Sequence, residues 1–192
     1  MKYWVVTSIL FLSGCRYQTS QTDNRSSYIR ELAKIVGIQQ LPFKYDLAKH
    51  NPDIRRSINK HSPDTLFFDD FNGSIGGLLP DTSNFFGFIY YKVGDSHYPF
   101  LLTVDKKGKI IDRQSIGLGH CGGQVVDIES CTDSVSINEK LEIEMLYEMR
   151  GKVEINDSIP KEIKICNWIS GKGKVTKEGR IEVTKGKLEV CD

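Results

Sequence analysis

The chain has 192 residues, with 26 basic and 25 acidic side chains, four histidines and a formal net charge of +1. So even a balance leaves no electrostatic footprint for nucleic acid and no polybasic surface for a membrane. Aromatic and β-branched residues are plentiful, which excludes a chain that is disordered throughout.

Met1 and Lys2 precede the apolar run "YWVVTSILFL" and then small residues up to Cys15. A charged start, a short apolar core and a small-residue cleavage site form the pattern of a secretory signal. The run is about half of the roughly 20 apolar residues that a bilayer-spanning helix needs. "LSGC", Leu12 to Cys15, resembles the lipobox of bacterial lipoprotein precursors. The resemblance implies cleavage before Cys15, which then carries a thioether-linked diacylglyceryl group and an acylated amine. Cys15 would be the first mature residue and the membrane anchor. Arg16 follows it, where lipoproteins retained in the inner membrane of many Gram-negative bacteria carry Asp. The resemblance therefore implies the outer membrane and leaves the leaflet open.

Five cysteines in an exported chain leave one unpaired. Assigning Cys15 to lipid leaves Cys121, Cys131, Cys166 and Cys191, an even set suited to an oxidising periplasm. Four cysteines allow three pairings. Proximity along the chain favours Cys121–Cys131 and Cys166–Cys191, each worth about 3 kcal/mol through the unfolded state.

After residues 1–14 as signal peptide, residues 15–26 read as a lipidated polar stalk without apolar pattern, flexible between lipid and domain. Residues 27–192 read as a single mainly β domain, with 27–84 a helical lead-in and 85–192 a β meander. A helix is predicted from Ser27 as N-cap, with Ile29, Leu32, Ala33 and Val36 on one face and Gly37 as its stop. A second, short helix is predicted in Pro52–Lys60, where Ile54 and Ile58 are four apart. "LFFDDFNGSIGGLL" adds one strand.

From Phe85 the runs "FFGFIYYKVGD", "HYPFLLTVDKKG" and "KIIDRQSIGLG" alternate with turn residues. In "LEIEMLYEM", Leu141, Ile143, Met145, Tyr147 and Met149 share one side against Glu142, Glu144 and Glu148, with Leu146 the exception. Such period-two patterning marks a strand with one wet face. "EIKICNW", "GKVTKEGRIEV" and "KGKLEV" continue the series, giving seven to nine strands without room for crossover helices. The expected fold is mainly β: an antiparallel meander, sandwich or barrel-like sheet with one or two short N-terminal helices. The strings "YPFLLTVDKKGKIID" and "HCGG" also resemble uncharacterised lipoproteins common in Bacteroidetes, a resemblance that brings no activity with it.

No motif carries a cofactor or a metal. "GLGHCG", Gly117 to Gly122, matches a dinucleotide-binding pattern, but the strand-like "GQVVDIESC" follows where a helix is required. "SGKGKVT" lacks phosphate-loop spacing, and its "KGK" reads as a basic hairpin turn. His120 and Cys121 are neighbours, which in a strand point to opposite faces, and nothing selects His50, His61 or His97 as a base for the thiol. Zinc on Cys121, Cys131 and a histidine is the lesser alternative to a disulfide. "DDFNGS", Asp69 to Ser74, starts like a calcium loop but lacks its distal acidic residue and reads as an Asn-Gly turn. Asp105 and Asp112 flank a Gly-containing hairpin and are not placed for paired-carboxylate work. Among Phe85, Phe86, Phe88, Tyr90, Tyr91, Tyr98 and Phe100, most belong in the core, with Tyr90, Tyr91 and Tyr98 the candidate binding surface.

The expected function is a non-catalytic binding or interaction module on the envelope, directed at another envelope protein or a glycan. The alternative is an envelope hydrolase acting on glycan or peptide.

Overall fold

The computed structural model describes residues 15–46, 52–70, 72–80, 83–94, 97–119, 127–154 and 162–190. Its elements are one helix, α1 (Cys15–Val36), and the strands β1 (Phe43–Asp46), β2 (Arg56–Ser57), β3 (Ser74–Leu78), β4 (Phe85–Val93), β5 (His97–Asp105), β6 (Ile110–Ser115), β7 (Asp127–Ile137), β8 (Glu142–Glu154), β9 (Glu162–Val175), β10 (Ile181–Lys185) and β11 (Glu189–Val190). The protein is mainly β, and every strand pairing is antiparallel. Eight of these strands lie beyond Phe85, within the expected range.

The strands form two sheets. The first is a meander in the order β2-β3-β4-β5-β6, and the second runs β1-β7-β8-β9-β10 with β11 also on β9. Strand β1 crosses to the second sheet, setting Phe43 opposite Ile137 and Asp46 opposite Ser134. At the corner between the sheets, the Thr103 hydroxyl donates to the Gly179 carbonyl at 2.6 Å, and the Ile181 amide donates to an Asp112 oxygen at 2.9 Å. Asp105 accepts from the amides of Lys107 and Lys109 in the β5–β6 turn, so both carboxylates are structural and stand apart.

Three layers result: α1 on the first sheet, and the first sheet on the second. Ile29, Leu32, Ala33 and Val36 of α1 pack with Phe68, Phe88, Tyr90, Leu102 and Val104. Ile89, Tyr91 and Leu101 point the other way and meet Val135, Ile137, Ile143 and Met145. The first sheet is thus buried on both faces, which is why "FFGFIYY" shows no clean alternation. Strand β8 has one wet face and keeps the predicted pattern: Ile143, Met145, Tyr147 and Met149 are buried while Leu146 is exposed.

Two local expectations fail. The helix does not start at Ser27 but at Cys15 and is 22 residues long. Neither Gly nor Pro interrupts that stretch, so nothing in the backbone stops the helix from extending. Its end is as predicted: Gly37 takes φ +72°, the left-handed geometry of a helix stop, and its amide returns to the Ala33 carbonyl at 3.2 Å. Residues 52–60 form no second helix. They run along the edge of β3, with Arg55 N–H donating to Ile75 O and Ile58 N–H to Gly73 O. Ile54 stays exposed while Ile58 is buried, so the two never shared a helical face.

Candidate functional site

A concavity lies along α1. It is an open groove of ≈ 1160 Å³, with Ala33, Leu78 and Phe86 as apolar floor and Ser26, Arg30 and Lys34 on its rim. Its shape follows from local chemistry. Phe86 points to the helix side of β4 at the sheet margin and is only partly covered. The Lys106 ammonium lies 3.7 Å from the Phe86 ring centre and donates to the Phe85 carbonyl at 2.8 Å. The Ser26 hydroxyl donates to the Lys106 carbonyl at 2.9 Å, which docks α1 onto the β5–β6 turn at the groove's edge. Lys34 is paired with Glu31 at 2.7 Å, whereas Arg30 makes no ion pair with any described residue. Burial, and then the nearby Arg30 charge, push the Lys106 ammonium below the usual lysine range. The two like charges therefore disfavour each other.

A second feature is wholly internal. Asp133 projects from β7 into the sandwich opposite Tyr147 and is fully buried. One oxygen accepts from the Gly119 amide at 3.1 Å; the other has no hydrogen-bond partner among the described residues. Burial raises the carboxyl's pKa, against the lowering effect of the Gly119 and Leu118 amides. The Tyr45 phenol, which donates to the His97 carbonyl at 3.1 Å, is pushed up to about 12 by burial and by Asp133 and Asp46. Gly119 passes so close to Tyr147 that a Cβ there would stand 2.0 Å from the ring. A buried carboxyl with a raised pKa is a candidate proton donor, and it does not line the groove along α1.

A third cluster is structural. Asp69 takes Lys92 at 2.7 Å, Arg113 at 3.2 Å and the Tyr90 hydroxyl at 3.1 Å. Burial opposes ionisation, but the Lys92 and Arg113 contacts hold its carboxyl below the usual range. Asp70 accepts from the amides of Asn72 and Val93. The Asp69 and Asp70 oxygens of the calcium-like stretch are thus taken by cations, a hydroxyl and amides.

The predicted site residues are dispersed. Tyr90 and Tyr91 are 0% and 1% exposed and form no binding surface, because α1 and the second sheet cover both faces of β4. Tyr90 packs on Phe68 and Phe100, Tyr91 on Tyr45. Tyr98 is half-buried against the inter-sheet core. Cys15 is the first residue of α1. Cys121, Cys191, His50 and His120 lie outside the described residues, as does the second half of "GLGHCG". His61 is exposed and His97 opens β5. The "KGK" of Lys172 to Lys174 is no turn; it lies inside β9, where a Cβ on Gly173 would meet the Glu182 carbonyl at 2.4 Å. The glycine there permits close strand approach, not reversal of the chain.

Sequence reasoning missed Arg30 and Lys106 as a pair. Lys106 was visible only as a turn residue, and Arg30 only as the polar side of a helix. No described helix is long and apolar enough to cross a membrane. No protein-family model, curated protein or solved structure matches this chain.

Proposed function

We propose that this chain is a lipid-anchored cell-envelope protein, held on the outer membrane through Cys15, that acts as a non-catalytic binding or interaction module. The observation that carries the binding reading is the groove along α1, where the apolar Ala33, Ile38, Leu78 and Phe86 lie beside Ser26, Ser27, Arg30, Glu31 and Lys34. Cross-linking in intact cells tests it. A photoreactive residue in place of Lys34 should capture a defined partner or ligand, one in place of Glu182 on the far sheet should not, and Arg30→Glu should abolish capture. Equal capture from both positions, or none, refutes the groove as the binding surface. The anchor is tested separately: Cys15→Ser should end fatty-acid labelling and release the exported protein from membranes, and persistent labelling rules the anchor out.

Export would also fit the remaining cysteines. Cys131 stands opposite Met149 on the inner side of β7, and Cys166 opposite Arg150 on the outer side of β9. With β8 between them and opposite orientations, they are not each other's partners. Neither is a free thiol. Val190 pairs with Asn167, the neighbour of Cys166, and Cys191 is next in the chain, which supports Cys166–Cys191 and leaves Cys121 for Cys131. Nonreducing peptide mapping should find those two bridges; crossed pairs refute the assignment.

A second reading, an envelope hydrolase acting on glycan or peptide, is favoured only by the raised pKa of buried Asp133. Hydrolysis of envelope polysaccharide or peptide that Asp133→Asn abolishes would establish it.

A further inference from the structure

We infer that the outer face of the second sheet binds a neutral glycan, with Trp168 as its stacking platform, at a site separate from the groove along α1. Cross-strand pairing fixes which side chains share that face. Trp168 of β9 stands opposite Glu148 of β8 and Glu189 of β11. Ser170 stands opposite Leu146, and Leu146 opposite Ser134 of β7. The alternate residues of β8, Met145, Tyr147 and Met149, are buried in the sandwich, so Trp168 points away from the core. Trp168 is half-buried, and Leu146 is 40% exposed. The two are diagonal neighbours, roughly 7–8 Å apart, a span that one or two sugar rings cover.

The surroundings select the ligand class. Glu142 and Glu144 stand opposite Lys174 and Lys172 on one side of this zone, and on the other Arg150 pairs with Glu148 at 2.8 Å. Between them the hydroxyls of Thr132, Ser134 and Ser170 and the Trp168 indole N–H have no hydrogen-bond partner among the described residues. A pyranose presents the matching combination, an apolar C–H face for the indole and a rim of hydroxyls for the free donors and acceptors. A protein partner is disfavoured by area: two apolar side chains fall far short of the roughly 800 Å² per partner of a stable interface. Strand addition is closed, because β8 and β9 are paired on both sides at Trp168. The carboxylates of Glu148 and Glu189 flank the indole and disfavour an anionic glycan.

The test is tryptophan emission of the full-length chain carrying Trp4→Phe, which leaves Trp168 as its only indole, in sugar-free detergent micelles. Cellohexaose, chitohexaose and maltohexaose are the neutral probes and polygalacturonate the anionic one. At least one neutral hexasaccharide should shift the emission saturably. Calorimetry with that sugar should show affinity at least tenfold weaker for Trp168→Ala and for the surface change Leu146→Lys, restored by Trp168→Tyr and unchanged by Arg30→Glu. No saturable shift with any neutral hexasaccharide overturns the proposal, as does tighter binding of polygalacturonate. Binding that ignores Trp168→Ala and Leu146→Lys overturns it too, and binding lost only in Arg30→Glu moves the sugar to the groove. The groove reading fails or stands separately, by capture from Lys34, whose control position Glu182 lies about 20 Å along the β9 ladder from Trp168.

Discussion

Asp64 offers a sharp test of how the helix is held to the sheets. It is fully buried in the 3-10 turn Pro63–Leu66, where its carboxylate accepts from the Tyr28 hydroxyl at 2.5 Å, from Arg56 at 3.0 Å and from the Asn59 amide at 2.9 Å. Three separate segments, α1, β2 and the turn, thus meet on one side chain. Asp64→Ala removes the acceptor and leaves Arg56 without its counter-ion. Breaking a buried pair from one side costs about 3–5 kcal/mol. The Arg56 side chain is 24% exposed and regains some hydration, which places the loss near the lower end, about 3 kcal/mol. Against the roughly 5–15 kcal/mol of a typical fold that is a large fraction. Urea unfolding of Asp64→Ala should show it as a lower midpoint with unchanged slope, and hydrogen exchange should accelerate at Tyr28 and Ile29. Adding Arg56→Met should cost less than its effect alone, since the stranded cation is then gone. A loss below about 1 kcal/mol, or strict additivity in the double variant, would show that the three contacts do not act as a unit.

Two further predictions concern the inner end of the sandwich. Burial raises the pKa of Asp133, so ionising it opposes folding: the cost is absent below the unfolded value of about 4, grows as pH rises towards the folded pKa, and is fully present above it. Asp133→Asn, which mimics the protonated acid, should therefore raise the melting temperature at pH 7 but not at pH 3; equal shifts at both would refute an upward shift of the Asp133 carboxyl, with Tyr45, Asp46, Tyr147 and Lys185 around it. Gly119→Ala drives a methyl to within 2.0 Å of the Tyr147 ring and should destabilise by about 1–3 kcal/mol in denaturant titration, partly rescued by Tyr147→Leu; no loss would mean the Gly119 strand is not packed as described.

The parts legible in the sequence are those where one local pattern meets one environment. β8 was readable because its two faces see oil and water, and Gly37 because a helix stop needs a backbone few residues adopt. The turn at Gly108 and that at Gly179, both left-handed, were marked by "KKGK" and "KEG" for the same reason. What failed depended on partners far away in the chain. Tyr90 and Tyr91 were correctly placed on opposite faces, but their exposure turned on whether both faces of β4 are covered, which no local pattern reports. The split into two sheets turned on β1 pairing with β7, more than half the length of the domain away. Asp64 read as a turn residue in "HSPDTL", and only folding brings Tyr28 and Arg56 to it. The groove was invisible because its floor, Phe86, belongs to a strand and its rim, Arg30, to the polar side of a helix.

The length of α1 changes what an anchor at Cys15 would do. Eleven residues separate Cys15 from Ser26 at the groove's rim. As a flexible linker they would hold the groove at a broad range of distances, averaging roughly 18 Å, whereas as a helix they fix it about 16 Å along one axis. In the fixed case the groove would meet the membrane in one orientation. The described helix side chains that are buried all belong to Ile29–Val36. Gln21→Pro separates the two roles. Proline suits the first turn of a helix but costs about 3 kcal/mol in its interior, so α1 should unravel upstream of residue 21 and keep its packed end. Far-ultraviolet circular dichroism should lose part of the helical signal while the melting temperature stays unchanged. Photo-cross-linking from position 34 should survive in detergent micelles yet fall in intact membranes, where geometry relative to the bilayer matters. A large drop in melting temperature would show that residues before Ser26 help hold the domain together, and equal cross-linking in both settings would show that the rigid helix sets no geometry for the groove.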